Sequence, residues 1–192
     1  VKGFWSVLTG RDKQVRPQLD SLFALPGAAV TLQTAMDVVA TGVGGVCYRQ
    51  AEGPAFVEAE AELVAFLDSD EGPDVERVPD GFGFTWLISR WPADDVGSLV
   101  TDLHAVNTSL QDQGFARSLL ASVVGFRSAT GQPLGLVYRY TTGTFYPFAP
   151  LPGKRERDVL LELQVKTQLQ HEMPLEADQT KQFPLWDCPV LA

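Results

Sequence analysis

His104 is the side chain in this chain best suited to moving a proton near neutral pH, and its neighbours decide whether it does so. Asp102 lies two residues before it and Asn107 three after it, on what reads as one helix. Positions two apart on a helix point in different directions, so Asp102 does not orient His104. The simpler reading of His104 is a histidine bordering an apolar stripe. Tyr138 and Tyr140 are phenols in an otherwise apolar run, and buried phenols need polar partners. His104, Asn107, Tyr138 and Tyr140 therefore form the candidate polar pocket. Serine hydrolase chemistry needs a strained, exposed serine beside a base. The chain has no Gly-x-Ser-x-Gly elbow and no Gly-x-x-x-x-Gly-Lys-Ser/Thr phosphate loop. Gly42-Val-Gly44-Gly45 is too short and too strand-like to cradle a dinucleotide.

Cys47 and Cys188 are the only cysteines, and His104 and His171 the only histidines. Two cysteines make no disulfide framework and no tetrahedral metal site. The expectation is a reducing, cytoplasmic setting with no metal and no cofactor. Cys47 reads as a small buried hydrophobe, since no base lies near it in sequence. Acidic loop residues Asp68 to Asp74 lack the alternating oxygens and closing glutamate of a calcium loop. Catalytic residues: none are assigned, and the expectation is a protein that is not an enzyme.

The net charge is −9 in 192 residues. Ten acids between Glu52 and Asp80, against Arg77 alone, account for −9, so the remainder is close to neutral. A nucleic-acid binder needs a basic stripe, and this balance argues against one. No apolar run approaches the roughly 18 residues that a transmembrane helix needs. The opening residues are too soon interrupted to read as a secretory signal. Residues 2–16 instead combine Phe4, Trp5, Val7 and Leu8 with Lys2, Arg11, Lys13 and Arg16. That mixture suits a partner groove, an anionic membrane surface touched peripherally, or the domain's own core.

These residues must be positioned by a succession of short elements. Gln18 to Leu25 reads as a helix stopped by Pro26-Gly27, Ala28 to Leu32 as a strand, and Gly42 to Gln50 as a second strand. A helix from Pro54 to about Ser69 places Phe56, Ala59, Leu63, Phe66 and Leu67 on one face. Its glutamates, Glu58, Glu60 and Glu62, cover the others. A hairpin around Pro79-Asp-Gly81 alternates Phe84, Trp86 and Ile88 against Thr85, Leu87 and Ser89. After Pro92-Ala-Asp-Asp95 the stripe Val96, Leu99, Val100, Leu103, Val106, Leu110 is a helix ended by Gly114. Ser118 to Phe126 and Leu134 to Tyr140 form a second hairpin. Phe145, Tyr146 and Phe148 then stand among Pro147, Pro150 and Pro152, an edge or a proline-stiffened crossing that could face a partner. A last helix runs from Lys154 to about Glu172, with Val159, Leu160, Leu163, Val165 and Leu169 as its apolar side. The expected organisation is an N-terminal amphipathic segment (1–17), one α+β domain (18–173) and a Pro-rich C-terminal tail (174–192) packing on it.

Single helices alternating with hairpins imply an α+β fold, an antiparallel sheet with helices packed on one face. The pattern resembles secretion-chaperone-like and YbjN-like folds, which serve as protein-binding platforms. Three motifs carry a closer likeness: Leu19-Asp-Ser-Leu-Phe-Ala-Leu-Pro-Gly27, Thr101-Asp-Leu-His-Ala-Val-Asn-Thr-Ser-Leu110 and Gly143-Thr-Phe-Tyr-Pro-Phe-Ala-Pro-Leu-Pro152. With them the chain resembles PspAB, the actinobacterial family associated with phage shock protein A. The likeness extends from Gly3-Phe4 through Phe183-Pro-Leu-Trp186.

The resemblance implies a cytoplasmic component of the envelope-stress system, a stress-response protein partnered by phage shock protein A or by an HtpX-type membrane protease. It brings no catalytic residues. The expected function is a non-enzymatic adaptor or regulator working by protein binding at the inner face of the membrane. Phe4, Trp5, Leu8, Phe145, Tyr146 and Phe148 are its candidate contact residues. The alternative is a small-molecule-binding or catalytic domain whose pocket joins His104, Asn107, Tyr138, Tyr140 and nearby arginines.

Overall fold

The computed structural model describes residues 18–69 and 72–192. The N-terminal segment with Phe4, Trp5 and Leu8 lies outside the described residues. Six strands form one antiparallel sheet: β1 (Val39–Tyr48), β2 (Glu76–Pro79), β3 (Thr85–Arg90), β4 (Leu119–Arg127), β5 (Pro133–Arg139) and β6 (Thr144–Phe148). Their spatial order is β2-β3-β1-β4-β5-β6, with β1 and β4 in the middle. Four α-helices, α1 (Leu25–Met36), α2 (Pro54–Leu67), α3 (Val96–Leu110) and α4 (Val159–Leu169), pack against it. Contacts run α2 to α3, α3 to α1 and α1 to α4, so α2 and α4 are the two ends of the helix layer.

Strand alternation divides the core in two. Val46, Tyr48, Leu87, Val124, Phe126, Leu136, Tyr138 and Phe145 face the helices. Cys47, Trp86, Ile88, Ala121, Val123, Val137, Tyr146 and Phe148 face the other way, where Cys188 and Val190 cover them. The hairpin alternation around Trp86 and Leu87 is as the sequence predicts. The expected single-face helix layer is present, and the second face is covered by the irregular chain after Pro174.

Four elements differ from the sequence reading. Residues 28–32 are not a strand: a short 3₁₀ turn (Leu19–Ala24) runs directly into α1. Pro26 is the second residue of α1, where a missing N–H costs no intrahelical bond, so it admits the helix instead of stopping it. Leu25, Ala28, Ala29 and Leu32 then fall on one buried face, and Asp37, at φ 52°, closes the helix by donating its N–H to the Gln33 carbonyl at 3.2 Å. On α2, Phe66 is 67% exposed while Glu60 is buried at 7%. The buried stripe is centred on Phe56 and Leu63, which turns Glu60 inward and leaves Phe66 on the rim. There Glu60 accepts from the Tyr48 hydroxyl and from Arg77 Nε at 3.0 Å.

The third difference concerns α4, which starts at Val159 and not at Lys154. Asp158 caps it, accepting from the Leu161 N–H at 3.0 Å. Val159, Leu160 and Leu163 are 68%, 67% and 59% exposed, and only Val165 and Leu169 of the expected apolar side are buried. The helix is rotated by a polar contact: Glu162 turns inward to accept from Ala149 N–H and from Arg157 Nε, both at 2.8 Å. Arg157 also donates to the Gln182 carbonyl at 3.1 Å and the Pro147 carbonyl at 3.2 Å. Finally, Thr144–Phe148 is a strand and not a crossing. It pairs with β5, Tyr146 opposite Val137, and Pro147 is tolerated because β6 is the last strand of the sheet. Its outer edge is closed by the tail, with Phe145 N–H on the Pro174 carbonyl and Glu176 N–H on the Phe145 carbonyl.

Two close approaches depend on glycine. Gly42 sits at φ +75° in a bulge of β1, and a Cβ there would collide with the Trp91 carbonyl. Trp91 in turn donates its indole N–H to Asp102 at 2.7 Å, tying α3 to that bulge. On the second face Gly125 of β4 pairs directly with Gly135 of β5, beside Gly45 of β1. Built Cβ atoms at Gly45 and Gly125 would lie 3.0 Å from Val190 Cγ2 and 3.0 Å from the Val190 carbonyl. At Gly135 the nearest tail atom would be Leu191 Cδ1 at 3.3 Å. The three glycines make a trough that seats the chain's last turn (Pro189–Leu191).

Arg157→Ala removes the partner of a buried carboxylate and two further hydrogen bonds. It is expected to lower stability by about 3–5 kcal/mol. Arg157→Met combined with Glu162→Leu, which leaves no buried charge unpaired, is expected to cost less. Urea unfolding monitored by tryptophan fluorescence checks the order of the two variants.

Candidate functional site

The residues of the predicted polar pocket come from α3 and β5, and the fold splits them between a surface cleft and the closed core. Asn107, 1% exposed, lies beneath α3, donating to the Leu103 carbonyl at 2.7 Å and to Ser122 Oγ of β4 at 2.8 Å. Tyr138 stands opposite Ser122 in the ladder and is completely buried, against the Phe145 ring at 5.1 Å. Its hydroxyl has no hydrogen-bond partner among the described residues. Burial, and next the neighbouring Tyr140, push the Tyr138 phenol up to about 12. Tyr140 donates its hydroxyl to Gln111 Oε1 at 2.7 Å.

His104 sits on the outer side of α3. Its Nε2 is 3.4 Å from Asp20, its Nδ1 is 3.5 Å from Thr108 Oγ1, and its ring packs on Phe23 with centroids 4.9 Å apart. These groups border an open cleft of about 660 Å³ lined by Gln18, Leu19, Asp20, Ser21, His104, Thr108 and Gln111. Of the four predicted residues, only His104 lines it. Tyr140 is one hydrogen bond behind it through Gln111, while Asn107 and Tyr138 belong to the core under the helix. Carboxylate, imidazole and hydroxyl are in line, but both separations stand at the outer limit of a hydrogen bond, and Asp20 is almost fully in water. Such an array positions the His104 ring between Asp20 and Thr108. It does not build an activated nucleophile, which needs a close base oriented by a third group.

The aromatic-proline segment is equally well defined. Phe145, Tyr146 and Phe148 are 0%, 2% and 0% exposed. Phe145 is in the helix-side core, Tyr146 donates to the Phe183 carbonyl at 2.9 Å, and Phe148 packs on Trp186 at 5.2 Å. Their rings face the interior because β6 is a paired strand with the tail along its edge. None of the three rings presents a surface to a partner in this conformation. Burial pushes the Tyr146 phenol upward, and burial followed by the hydrogen bond to Glu60 does the same for Tyr48.

What the segment does offer outward is a second cleft, of about 570 Å³, beyond its end. Arg127, Pro150, Lys154, Arg155, Trp186 and Asp187 are among its walls. Arg155 is paired with Asp187 at 3.3 Å. Its position was not legible in the sequence. Lys154-Arg155 stands out there after three prolines, yet Arg127 and Trp186 reach the same place only through the β4–β5 turn and the tail. Among the described residues no group of three or more His, Cys, Asp or Glu side chains is placed to hold a metal ion. No helix among them is long and apolar enough to cross a membrane.

The profile of the family described as PspA associated protein B matches residues 2–190, nearly the whole chain. The chain belongs to that family. No curated protein and no solved structure matches it. The family's description connects this PspA-associated chain with PspA and names no enzymatic activity. The matched region takes in both clefts, the exposed side of α4 and the tail that covers the sheet.

The buried phenols set an alkaline limit on this fold. In Tyr48, Tyr138 and Tyr146 the folded-state value is raised, so each keeps its proton after the unfolded chain has lost it. The phenols' contribution to stability is therefore complete below about pH 10 and falls above it, by up to about 1.4 kcal/mol per pH unit for each phenol. Urea midpoints measured between pH 8 and pH 11, with tyrosinate absorbance followed in parallel, are expected to decline together with delayed ionisation.

Proposed function

We propose that this PspA-associated protein is a non-enzymatic adaptor or regulator of the phage-shock, envelope-stress response. It acts by protein–protein contact on the cytoplasmic side of the membrane, with phage shock protein A or an HtpX-type membrane protease as the partner. The observation that carries this reading is the family match along residues 2–190, whose description joins the chain to PspA. Two features of the molecule support it. Among the described residues of the His104 cleft, the imidazole and the nearest hydroxyl, Thr108 Oγ1, stand 3.5 Å apart. Val159, Leu160 and Leu163 on the outer side of α4 are exposed among the described residues, and three large apolar side chains in one exposed patch suit a protein contact.

Phe4, Trp5 and Leu8 are the second contact element in this proposal, with the neighbouring bases favouring an acidic partner surface or anionic lipid headgroups beside it. Reciprocal co-purification of the full-length chain with phage shock protein A, and separately with HtpX, tests the reading. Wild-type chain is expected to retain one of the two. Phe4→Ala/Trp5→Ala and Leu160→Asp/Leu163→Asp are each expected to weaken capture about ten-fold or more, equivalent to about 1.4 kcal/mol or more. Recovery of neither partner by the wild-type chain would sink the proposal.

A further inference from the structure

The only two cysteines of the chain belong to one buried cluster on the second face of the sheet, which no sequence spacing suggests. Cys47 is on β1 and Cys188 on the tail; they are 4% and 6% exposed and belong to the same buried cluster. The trough glycines fix the tail over this point. Val190 Cγ2 lies 3.0 Å from where a Cβ of Gly45 would be. Cys47 is the next residue of β1 on that face, roughly 7 Å along the strand, and Cys188 precedes Val190 by the same two residues. The Leu191 N–H is donated to the Cys188 carbonyl at 3.0 Å, closing the turn over this point. Burial pushes both thiols up, each to about 12.

Tail residues 183–191 form no strand ladder with the sheet and are held by side-chain packing and a few polar contacts. They include Tyr146 on the Phe183 carbonyl, Arg139 over the Phe183 ring at 4.8 Å, Phe148 on Trp186, and the exposed Arg155–Asp187 pair. The only regular element within them is the turn Pro189–Leu191. A segment of that kind opens locally at lower cost than a strand of the central sheet. Opening brings both thiols to water at once.

We propose that Cys47 and Cys188 are a redox latch, a site of reversible disulfide formation that locks the C-terminal tail over the second face of the sheet. The oxidant is a small-molecule disulfide such as oxidised glutathione. When the tail lifts, the Cys188 thiolate attacks one glutathione sulfur, forms a mixed disulfide and releases one glutathione thiolate. Cys47, having given its proton to solvent, then attacks the Cys188 sulfur of that mixed disulfide, and the second glutathione thiolate leaves as the Cys47–Cys188 bond forms. Two protein thiols are oxidised, one glutathione disulfide is reduced to two thiols, and the two protons end on glutathione. Reduced, the tail exchanges between seated and lifted states. Oxidised, it stays seated. This holds whichever partner the protein has.

The test uses the full-length chain, incubated with oxidised glutathione or with dithiothreitol, in buffer and in urea just below the unfolding transition. Intact mass and peptide mapping are expected to show the loss of two hydrogens and a linked Cys47–Cys188 peptide pair, formed faster in urea. Thermal unfolding of the oxidised chain is expected about 5–15 °C above that of the reduced chain. Dithiothreitol reverses the shift, and Cys188→Ser shows neither the link nor the shift. A stable glutathione adduct without the link, a disulfide between two chains, or both thiols unreacted in sub-denaturing urea each overturn the proposal.

Discussion

Strands β1, β3, β4, β5 and β6 carry buried apolar side chains on both of their faces, and water must be kept from each. The helix side is solved conventionally, with α3 over the centre and α1, α2 and α4 around it. Leu99 and Leu103 come so near β1 that a Cβ on Gly44 would stand 3.1 Å from the Leu99 side chain. The other side holds Trp86, Val123, Val137 and Tyr146, a set too apolar to leave exposed, and it receives a single irregular stretch of chain. Covering two faces with one domain of this size determines most of what is unusual in the molecule. It explains the glycine trough, the buried tail cysteines and the polar contacts that hold an otherwise unstructured tail.

Buried ion pairs supply the places where elements are fixed to one another. Arg157 and Glu162 join the loop before α4, the start of α4, strand β6 and the tail at one point. Tyr48, Glu60 and Arg77 do the same at the opposite edge, between β1, α2 and β2. In each, the carboxylate is buried and the arginine partly exposed. Such pairs contribute little net stability compared with apolar packing, but leaving one member alone is costly. They therefore act mainly on register. Glu162 determines which side of α4 faces the sheet, and through that choice it exposes Val159, Leu160 and Leu163.

The sequence was most informative where one periodicity dominated. The stripe of α3 and the alternation in β3 could be read because each element has one apolar side, or two in strict turn, and β4 and β5 could be read as apolar strand runs. The readings that failed share a cause: a tertiary contact outweighed a local signal. Pro26-Gly27 looks like a stop, yet proline in a first helical turn is harmless, and α1 runs on through it. Glu60 and Glu162 look like solvated residues until Arg77 and Arg157, which are close in sequence but on other elements, are seen to face them. The candidate pocket was legible in its residue types and not in its grouping. Asp20 reaches His104 from 84 positions away, and Ser122 draws Asn107 beneath the helix. The meeting of Cys47 with Cys188 and of Gly45 with Val190 had no local signal at all.

The pairing of residue 45 with residue 190 also has a temporal side. All six strands and four α-helices are synthesised before the segment that covers the second face. Until that segment is seated, the sheet shows water a row of tryptophan, isoleucine, valine and aromatic side chains, the kind of surface on which partly folded chains aggregate. A premature stop after α4 would remove no strand and no helix, yet would make that transient exposure permanent. Residues 183–191 thus add no strand and no α-helix, and their contribution is the cover they give the second face.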